Sequence, residues 1–226
     1  MAFDTKTLKH FADSASSAAF VAAQVSSSCH QAVTEHGIFH WVLAGGSTPE
    51  VCYRLLRDED LPWQNVHIWF GDERALPQGH KDRNETMARE ALLNHVSIPE
   101  NNIHTISFPA STEEAAMEYA QAMSAVPAFD LVLLGMGEDG HTASLFPDNP
   151  ALENSELAVP VYASPKPPAE RVSMSFKALN NHQQAIILAT GASKAVILKD
   201  IAEGADLPVT HINKAIWVVD QAAWPS

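Results

Sequence analysis

Positive charge is scarce in this chain. Its 226 residues include 14 lysines and arginines against 27 aspartates and glutamates, which gives a formal net charge of −13 at pH 7. No basic tract interrupts this acidity, so the chain lacks the electrostatic footprint of proteins that bind nucleic acid or anionic membranes nonspecifically. An acidic protein can still bind an anionic metabolite if it gathers a few cations in one place. We therefore expect a small-molecule substrate and neither a nucleic-acid nor a membrane partner.

Cysteines and long apolar runs are also rare. Cys29 and Cys52 form no CxxC pair or other metal-binding spacing, which is typical of reduced thiols in a cytoplasmic protein. No HExxH motif or Cys/His set occurs, so we expect no metal. No segment reaches the ~18–20 apolar residues needed to cross a bilayer, and residues 1–36 do not resemble a signal peptide. These absences predict a soluble, cytoplasmic protein.

The first 36 residues carry one apolar stripe at intervals of three or four. The stripe comprises Leu8, Phe11, Ala15, Ala18, Ala22, Val25, Cys29 and Val33. This spacing predicts a long amphipathic helix, with Asp4 as its N-cap and Gly37 as its end.

Beyond Gly37, short apolar runs alternate with helical patterns. The predicted strands are Ile38–Ala44, Val66–Phe70, Phe129–Leu134, Arg171–Ser175, Gln184–Ala189 and Ile216–Val219. The predicted helices are Pro49–Leu56, Asn84–His95, Thr112–Ser124 and Ser193–Glu203. Such alternation is typical of an α/β fold. We expect residues 1–226 to form a single three-layer α/β/α domain around a mainly parallel, Rossmann-like sheet, with a mobile loop at the proline-rich stretch 164–168.

Ligands of open α/β sheets bind at the carboxyl ends of the strands, and polar residues follow several of the predicted strands. After the first strand come Gly45, Gly46, Ser47 and Thr48, which fit either an anion site at a helix start or a tight turn capped by Thr48. The next strand runs into the charged segment 72–74, which fits either a site or a solvated loop with an internal ion pair.

The strongest signal is the segment that follows Phe129–Leu134. There, three glycines surround Asp139 and His141. Histidine titrates nearest to neutral pH and is suited to activating water as a general base. A carboxylate two residues away can hold the imidazole in one tautomer and orientation. We expect His141 to be the central catalytic residue.

Two cations lie on or shortly after later strands. Arg171 alternates with Val172 along one predicted strand, and Lys194 follows another in the segment Gly191-Ala-Ser-Lys194. A planar guanidinium and an ammonium together are a common phosphate clamp, whereas each alone is more often a surface charge. A string of glycines at 135, 137 and 140 matches a dinucleotide-binding pattern only weakly, because His141 and Pro147 suit a helix start poorly.

Five segments together resemble the 6-phosphogluconolactonase family, within the glucosamine-6-phosphate isomerase-like fold. They are Ala44-Gly-Gly-Ser-Thr-Pro49, Gly71-Asp-Glu-Arg74, Leu134-Gly-Met-Gly-Glu-Asp-Gly-His-Thr-Ala-Ser-Leu-Phe-Pro147, Arg171-Val-Ser-Met-Ser175 and Gly191-Ala-Ser-Lys194. The resemblance implies a carboxylic ester hydrolase of the oxidative pentose phosphate pathway that converts 6-phospho-D-glucono-1,5-lactone to 6-phosphogluconate without a cofactor. It is compatible with a monomer or a weak homodimer.

The resemblance also implies roles for individual residues. The expected catalytic set is His141, Asp139, Arg74 and Asp72, with Arg74 near the lactone carbonyl. The expected phosphate-binding set is Gly45, Gly46, Ser47, Thr48, Arg171 and Lys194. One departure is visible, because Arg83 precedes Asn84 where the family often has serine.

Two alternatives remain. Ketol-isomerases of the same fold carry a glutamate that assists ring opening after the histidine segment, whereas this chain has the apolar Phe146 there. A non-catalytic sugar-phosphate sensor usually has a helix-turn-helix module, for which the chain has neither room nor a basic segment. Both features favour the lactonase.

Overall fold

The central element of the fold is strand β6 (Phe129–Gly135), whose first six residues are buried. The computed structural model describes residues 8–225, and β6 lies in the middle of a seven-stranded, all-parallel sheet. In spatial order the strands are β1 (Leu8–Phe11), β10 (Ile216–Asp220), β9 (His182–Ala189), β6, β2 (Phe39–Leu43), β3 (Val66–Phe70) and β5 (Ile103–His104). The continuous apolar runs of β6 and β9 are explained by burial on both faces of the sheet.

The order of the strands reverses between β2 and β6. From β2 the chain adds β3 and β5 on one side, and from β6 it adds β9 and β10 on the other. Such a switch point opens a crevice at the carboxyl ends of the two central strands.

Helices cover both faces of the sheet. They are α1 (Ser14–His36), α2 (Ser47–Leu55), α3 (Asn84–Ala91), α4 (Thr112–Met123), α5 (Phe176–Leu179) and α6 (Ala195–Ala202). Helices α1 and α2 pack together on the face that carries Trp41, whose ring meets Tyr53 edge to face. Helix α4 lies on the opposite face, where Tyr119 contacts Trp69. The predicted three-layer α/β/α architecture is therefore confirmed. No helix within residues 8–225 is long and apolar enough to cross a membrane.

The prediction for the N-terminal helix was wrong at its start. Leu8–Phe11 form β1 and pair with β10, and the helix begins at Ser14 with Asp13 as its N-cap. The Asp13 carboxylate accepts a hydrogen bond from the Ser16 N–H at 2.7 Å. The predicted N-cap Asp4 lies outside the described residues. The predicted end is confirmed, since Gly37 adopts the left-handed conformation (φ 85°) that glycine allows without strain.

A second, antiparallel sheet was not predicted. It contains β4 (Asp72–Arg74), β8 (Arg171–Met174) and β7 (Ala158–Val161) in that order, and it packs against α4. The predicted strand Arg171–Ser175 is present, but it belongs to this small sheet and not to the parallel one. Its pairing with β4 places Arg171 directly opposite Arg74.

Candidate active site

A pocket of about 300 Å³ opens at the carboxyl ends of β2, β3 and β6. Seven residues singled out from the sequence contribute to its wall, namely Gly45, Gly46, Asp72, Arg74, Asn84, His141 and Arg171. The wall also contains Phe146, and Lys166 from the proline-rich loop. The switch point of the sheet thus brings together predicted site residues that are up to 126 positions apart, from Gly45 to Arg171.

His141 is oriented by Asp139. Its Nδ1 lies 2.5 Å from Asp139 Oδ1, and its backbone N–H donates to the same oxygen at 3.2 Å. An ionised carboxylate only accepts hydrogen bonds, so Nδ1 carries the proton in the neutral imidazole. Nε2 is then the unprotonated nitrogen, and it forms none of the hydrogen bonds found within residues 8–225. The pair therefore presents a proton acceptor in the wall of the pocket.

Burial sets the charge state of this pair. It lowers the pKa of His141, although the hydrogen bond and negative charge of Asp139 act in the opposite direction. Burial acts to raise the pKa of Asp139, but the hydrogen bonds and the charge interaction with His141 together exceed it, so the net shift of this pKa is downward. We conclude that the pair rests as carboxylate and neutral imidazole, because the larger influence on His141 is the loss of water around it.

Glycines around the pair leave space for it. A Cβ on Gly137 would overlap the imidazole of His141 and crowd the carboxylate of Asp139. Gly140 adopts φ 78°, and its carbonyl accepts a hydrogen bond from the Val209 N–H at 3.0 Å. No helix follows this loop until the short turn Pro150–Glu153, so the helix start required by a dinucleotide-binding motif is absent from this part of the structure.

Asp72 joins three elements at the floor of the pocket. Its Oδ2 accepts a hydrogen bond from Ser144 Oγ at 2.6 Å, and its Oδ1 accepts one from Asn84 Nδ2 at 3.0 Å. Arg171 Nη1 lies 3.9 Å from Asp72 Oδ2 and 3.5 Å from Ser144 Oγ. All four side chains are buried, so this network fixes the His141 loop relative to β4 and β8.

Glu73 and Arg83 fix the start of helix α3, which follows the segment 72–74. The Glu73 carboxylate accepts hydrogen bonds from the N–H groups of Asn84 and Glu85, each at 2.8 Å, and so caps α3. Arg83 pairs with Glu85 at 3.1 Å and donates to the Ile106 carbonyl at 2.7 Å. The residue that departs from the family pattern is thus a buried structural arginine. Arg83 also lines a second cavity of about 470 Å³, whose wall does not include His141.

Arg74, the last residue of β4, also lies in the pocket wall. Its Nη1 donates to the Asp82 carbonyl at 2.5 Å, whereas its buried Nε has no hydrogen-bond partner. An unpartnered buried N–H is costly unless a ligand completes it, which makes Arg74 a candidate donor to substrate.

Two buried tyrosines brace the strand ends beside the pocket. Tyr53 donates a hydrogen bond to the Ala44 carbonyl at 2.8 Å and accepts one from the Ala44 N–H at 2.9 Å. Tyr119 makes the same pair of bonds to Phe70, at 3.0 and 2.8 Å. Each tyrosine thus replaces a missing strand partner at the point where the chain leaves the sheet.

The other predicted phosphate ligands, Ser47, Thr48 and Lys194, are not part of the pocket wall. Ser47 and Thr48 form the first turn of α2, where N–H groups lack intrahelical partners, and Thr48 Oγ1 lies 2.9 Å from Thr190 Oγ1. Lys194 is half-buried, which lowers its pKa, and it interacts electrostatically with Glu138, Lys166 and Asp139. Gly45 and Gly46 are in the wall itself, and a Cβ on Gly45 would overlap the Asn84 amide.

Sequence reasoning assigned no role to Ser144 or Lys166. No local pattern reveals the hydrogen bond of Ser144 to Asp72, which lies 72 positions earlier. Lys166 lies among prolines that read as a loop. Within residues 8–225, no three or more His, Cys, Asp or Glu side chains group as metal ligands would.

Comparisons with known proteins point in one direction. The model of the glucosamine-6-phosphate isomerases/6-phosphogluconolactonase family matches residues 12–223. A 6-phosphogluconolactonase of Synechocystis sp. is 37% identical over 209 residues, which cover 85% of this chain and 86% of that protein. The 6-phosphogluconolactonase of Homo sapiens is 40% identical over 200 residues, which cover 80% of this chain and 78% of that protein.

Solved structures agree. The 6-phosphogluconolactonase of Thermotoga maritima superposes with a TM-score of 0.88 at 29% identity, over 94% of this chain and 98% of that one. A monomeric glucosamine-6-phosphate deaminase also superposes, with a TM-score of 0.80 over 96% of this chain and 98% of that one. Its identity is 18%, so this second likeness concerns the fold alone.

Proposed function

Because the chain belongs to the glucosamine-6-phosphate isomerase/6-phosphogluconolactonase family, we propose that it hydrolyses 6-phospho-D-glucono-1,5-lactone to 6-phosphogluconate. The observation that carries the proposal is the pair formed by His141 and Asp139. His141 lies in the wall of the pocket, and its Nε2 is free to accept a proton. The reaction would belong to the oxidative pentose phosphate pathway. We propose a cytoplasmic enzyme of one domain, active as a monomer or weak homodimer.

In the first step His141 acts as general base. Water attacks the lactone carbonyl carbon while Nε2 takes its proton, and the carbonyl π electrons move onto oxygen. General-base catalysis of this kind is typically worth ~10²–10⁴-fold. Asp139 is a positioning residue here, since it holds the tautomer and stabilises the imidazolium that forms.

Arg74 is the candidate for stabilising the oxyanion. Its unpartnered Nε and its place in the pocket wall allow it to donate to the developing negative charge. The tetrahedral intermediate then collapses, the bond between the carbonyl carbon and the ring oxygen breaks, and the imidazolium returns its proton to that ring oxygen. Asp72 keeps Asn84 and Ser144 in place beneath the reacting group.

We expect the phosphate to bind where the glycine segment after β2 and the predicted cations lie. We propose that the N–H groups and hydroxyls of the segment Gly45–Thr48 bind it together with Arg171 and Lys194. Binding energy from a phosphate remote from the reacting carbon restrains the carbonyl against the water. No serine or cysteine nucleophile is required in this scheme.

A parallel assay tests the proposal against the isomerase alternative. At controlled pH, 6-phosphogluconolactone should be hydrolysed well above its spontaneous rate, and glucosamine 6-phosphate should not be converted. Phe146 supports this expectation, because an apolar ring cannot transfer the protons of ring opening and isomerisation. Conversion of glucosamine 6-phosphate without lactone hydrolysis would overturn the proposal.

A further inference from the structure

The proline-rich loop is held in place by Arg171. The Arg171 guanidinium donates to the carbonyls of Lys166 at 3.0 Å, Pro167 at 3.2 Å and Pro168 at 3.3 Å. Ser164 Oγ also donates to the Lys166 carbonyl at 2.9 Å and accepts from the Lys166 N–H at 3.3 Å. The backbone of Lys166 is therefore fixed on both sides, in a loop that sequence reasoning expects to be mobile.

The side chain of Lys166 is free while its backbone is held. It is exposed, it contributes to the wall of the pocket, and its ammonium makes no ion pair within residues 8–225. Its positive charge interacts with both His141 and Lys194. In each case it lowers the pKa of that residue, in addition to the larger lowering that burial causes. A chain with a net charge of −13 thus presents an unpaired ammonium at this pocket.

Most hydrogen-bond donors of Arg171 already have protein partners, so its direct share in the proposed phosphate site is limited. Its Nε and Nη2 are used by the loop carbonyls, and its Nη1 lies near Ser144 and the Asp72 carboxylate. Its charge is partly balanced by Asp72, and its side chain is buried beside Phe146. The cation that can move to meet a dianion is therefore on the loop that Arg171 holds.

We propose that Lys166 is a substrate-binding residue that pairs with the phosphate of the sugar, and that Arg171 acts in large part as its positioning residue. This inference rests on the proposed function for the identity of the ligand. It adds to the phosphate site a residue that neither motif spacing nor the expected clamp contained. Lys194 is its neighbour, so the two ammonium groups would face the phosphate together.

Binding is the sharpest test, because it does not depend on turnover. The dissociation constants of 6-phosphogluconate and of glucose 6-phosphate would be measured by calorimetry for the wild type, K166Q and K166R. The matched control is K177Q, which removes an equal charge from helix α5. We expect K166Q to weaken both ligands about tenfold, which corresponds to about 1.4 kcal/mol, and K166R and K177Q to stay within about threefold of wild type.

Both ligands carry a phosphate, but only 6-phosphogluconate carries a carboxylate. Comparing them therefore shows which of the two groups Lys166 binds. Loss of 6-phosphogluconate affinity with unchanged glucose 6-phosphate affinity would overturn the assignment, as would unchanged binding of both. If the wild type binds these ligands but does not hydrolyse the lactone, the proposed function fails while the Lys166 site stands.

A double-mutant cycle tests the positioning role of Arg171. R171K keeps the charge but loses the fork that holds the three carbonyls. If Arg171 acts through Lys166, the K166Q/R171K protein should bind 6-phosphogluconate more tightly than the product of the two single effects implies. Independent, additive losses would contradict the positioning role.

Discussion

The imidazole ring of His141 lies 4.5 Å from the phenyl ring of Phe146, measured between centroids, with the two planes inclined by 45°. Phe146 is buried, and the guanidinium carbon of Arg171 lies 5.7 Å from the centroid of its ring. The apolar ring excludes water from one side of the imidazole, which disfavours the imidazolium. Phe146 therefore helps to keep His141 neutral and able to accept a proton.

The acid limb of the pH–rate profile should reflect this burial. His141 must be neutral to act as base, and its pKa is lowered from the ordinary value of 6.5 by burial. The kcat/KM of the wild type should therefore stay high as pH falls to 6.5 and decline only below it. D139N removes the negative charge that favours the imidazolium, so its acid limb should move to still lower pH while kcat falls. D148N, an exposed change in the same loop, is the control and should match the wild type. A D139N limb at higher pH would contradict the assigned pair.

Space at position 137 should control the rate. A Cβ on Gly137 would overlap the His141 ring, whereas the nearest atom to a Cβ on Gly135 is the Gly45 carbonyl oxygen at 3.9 Å. Misplacing a catalytic group by about 1 Å can cost about 10²-fold. We expect G137A to lower kcat by about that factor and G135A to lower it far less. Comparable rates for the two variants would show that the Gly137 contact does not set the position of His141.

The bracing tyrosines should contribute to stability. Y53F leaves the N–H and carbonyl of Ala44 unpaired in a buried position, which typically costs about 1–3 kcal/mol. Y119F should behave alike at Phe70. Tyr162 is 42% exposed, so Y162F should change the free energy of unfolding in urea by no more than about 0.5 kcal/mol. Equal midpoints and slopes for all three variants would contradict the bracing role.

The two cysteines should be unreactive in the native protein. Both are fully buried, and burial raises the pKa of each thiol to about 12. The thiolate is the reactive form, so a disulfide reagent at pH 8 should label neither cysteine until the chain unfolds. Fast labelling under native conditions would show that one of the sites opens.

The parallel core could be predicted from the sequence because its signals are local. Leu131–Leu134 and Ala185–Leu188 are continuously apolar, and both lie in strands buried on two faces. Turn residues after these strands placed the glycine loops at one edge of the sheet. His141, Asp72 and Arg74 are predicted site residues because they follow strands, and Arg171 because it begins one; all four line the pocket.

The remainder depends on contacts between distant segments. Leu8 and Phe11 fit the helical spacing as well as the strand they form, and pairing with β10 decides between the two. Asp72–Arg74 reads as a charged loop, since only antiparallel pairing with β8 makes it a strand. Lys166 has no sequence signal at all, because its position follows from the hydrogen bonds that its backbone makes with Arg171 and Ser164.

Hydrolysis of 6-phosphogluconolactone by the wild type and by H141N tests the central claim most directly. The rate would be followed at pH 7 with the spontaneous rate subtracted, and 6-phosphogluconate affinity would be measured for both proteins. The account predicts a wild-type rate far above the spontaneous one, a kcat lowered ~10²–10⁴-fold in H141N, and nearly unchanged ligand affinity. Near-normal turnover by H141N would contradict the role of His141 as the base.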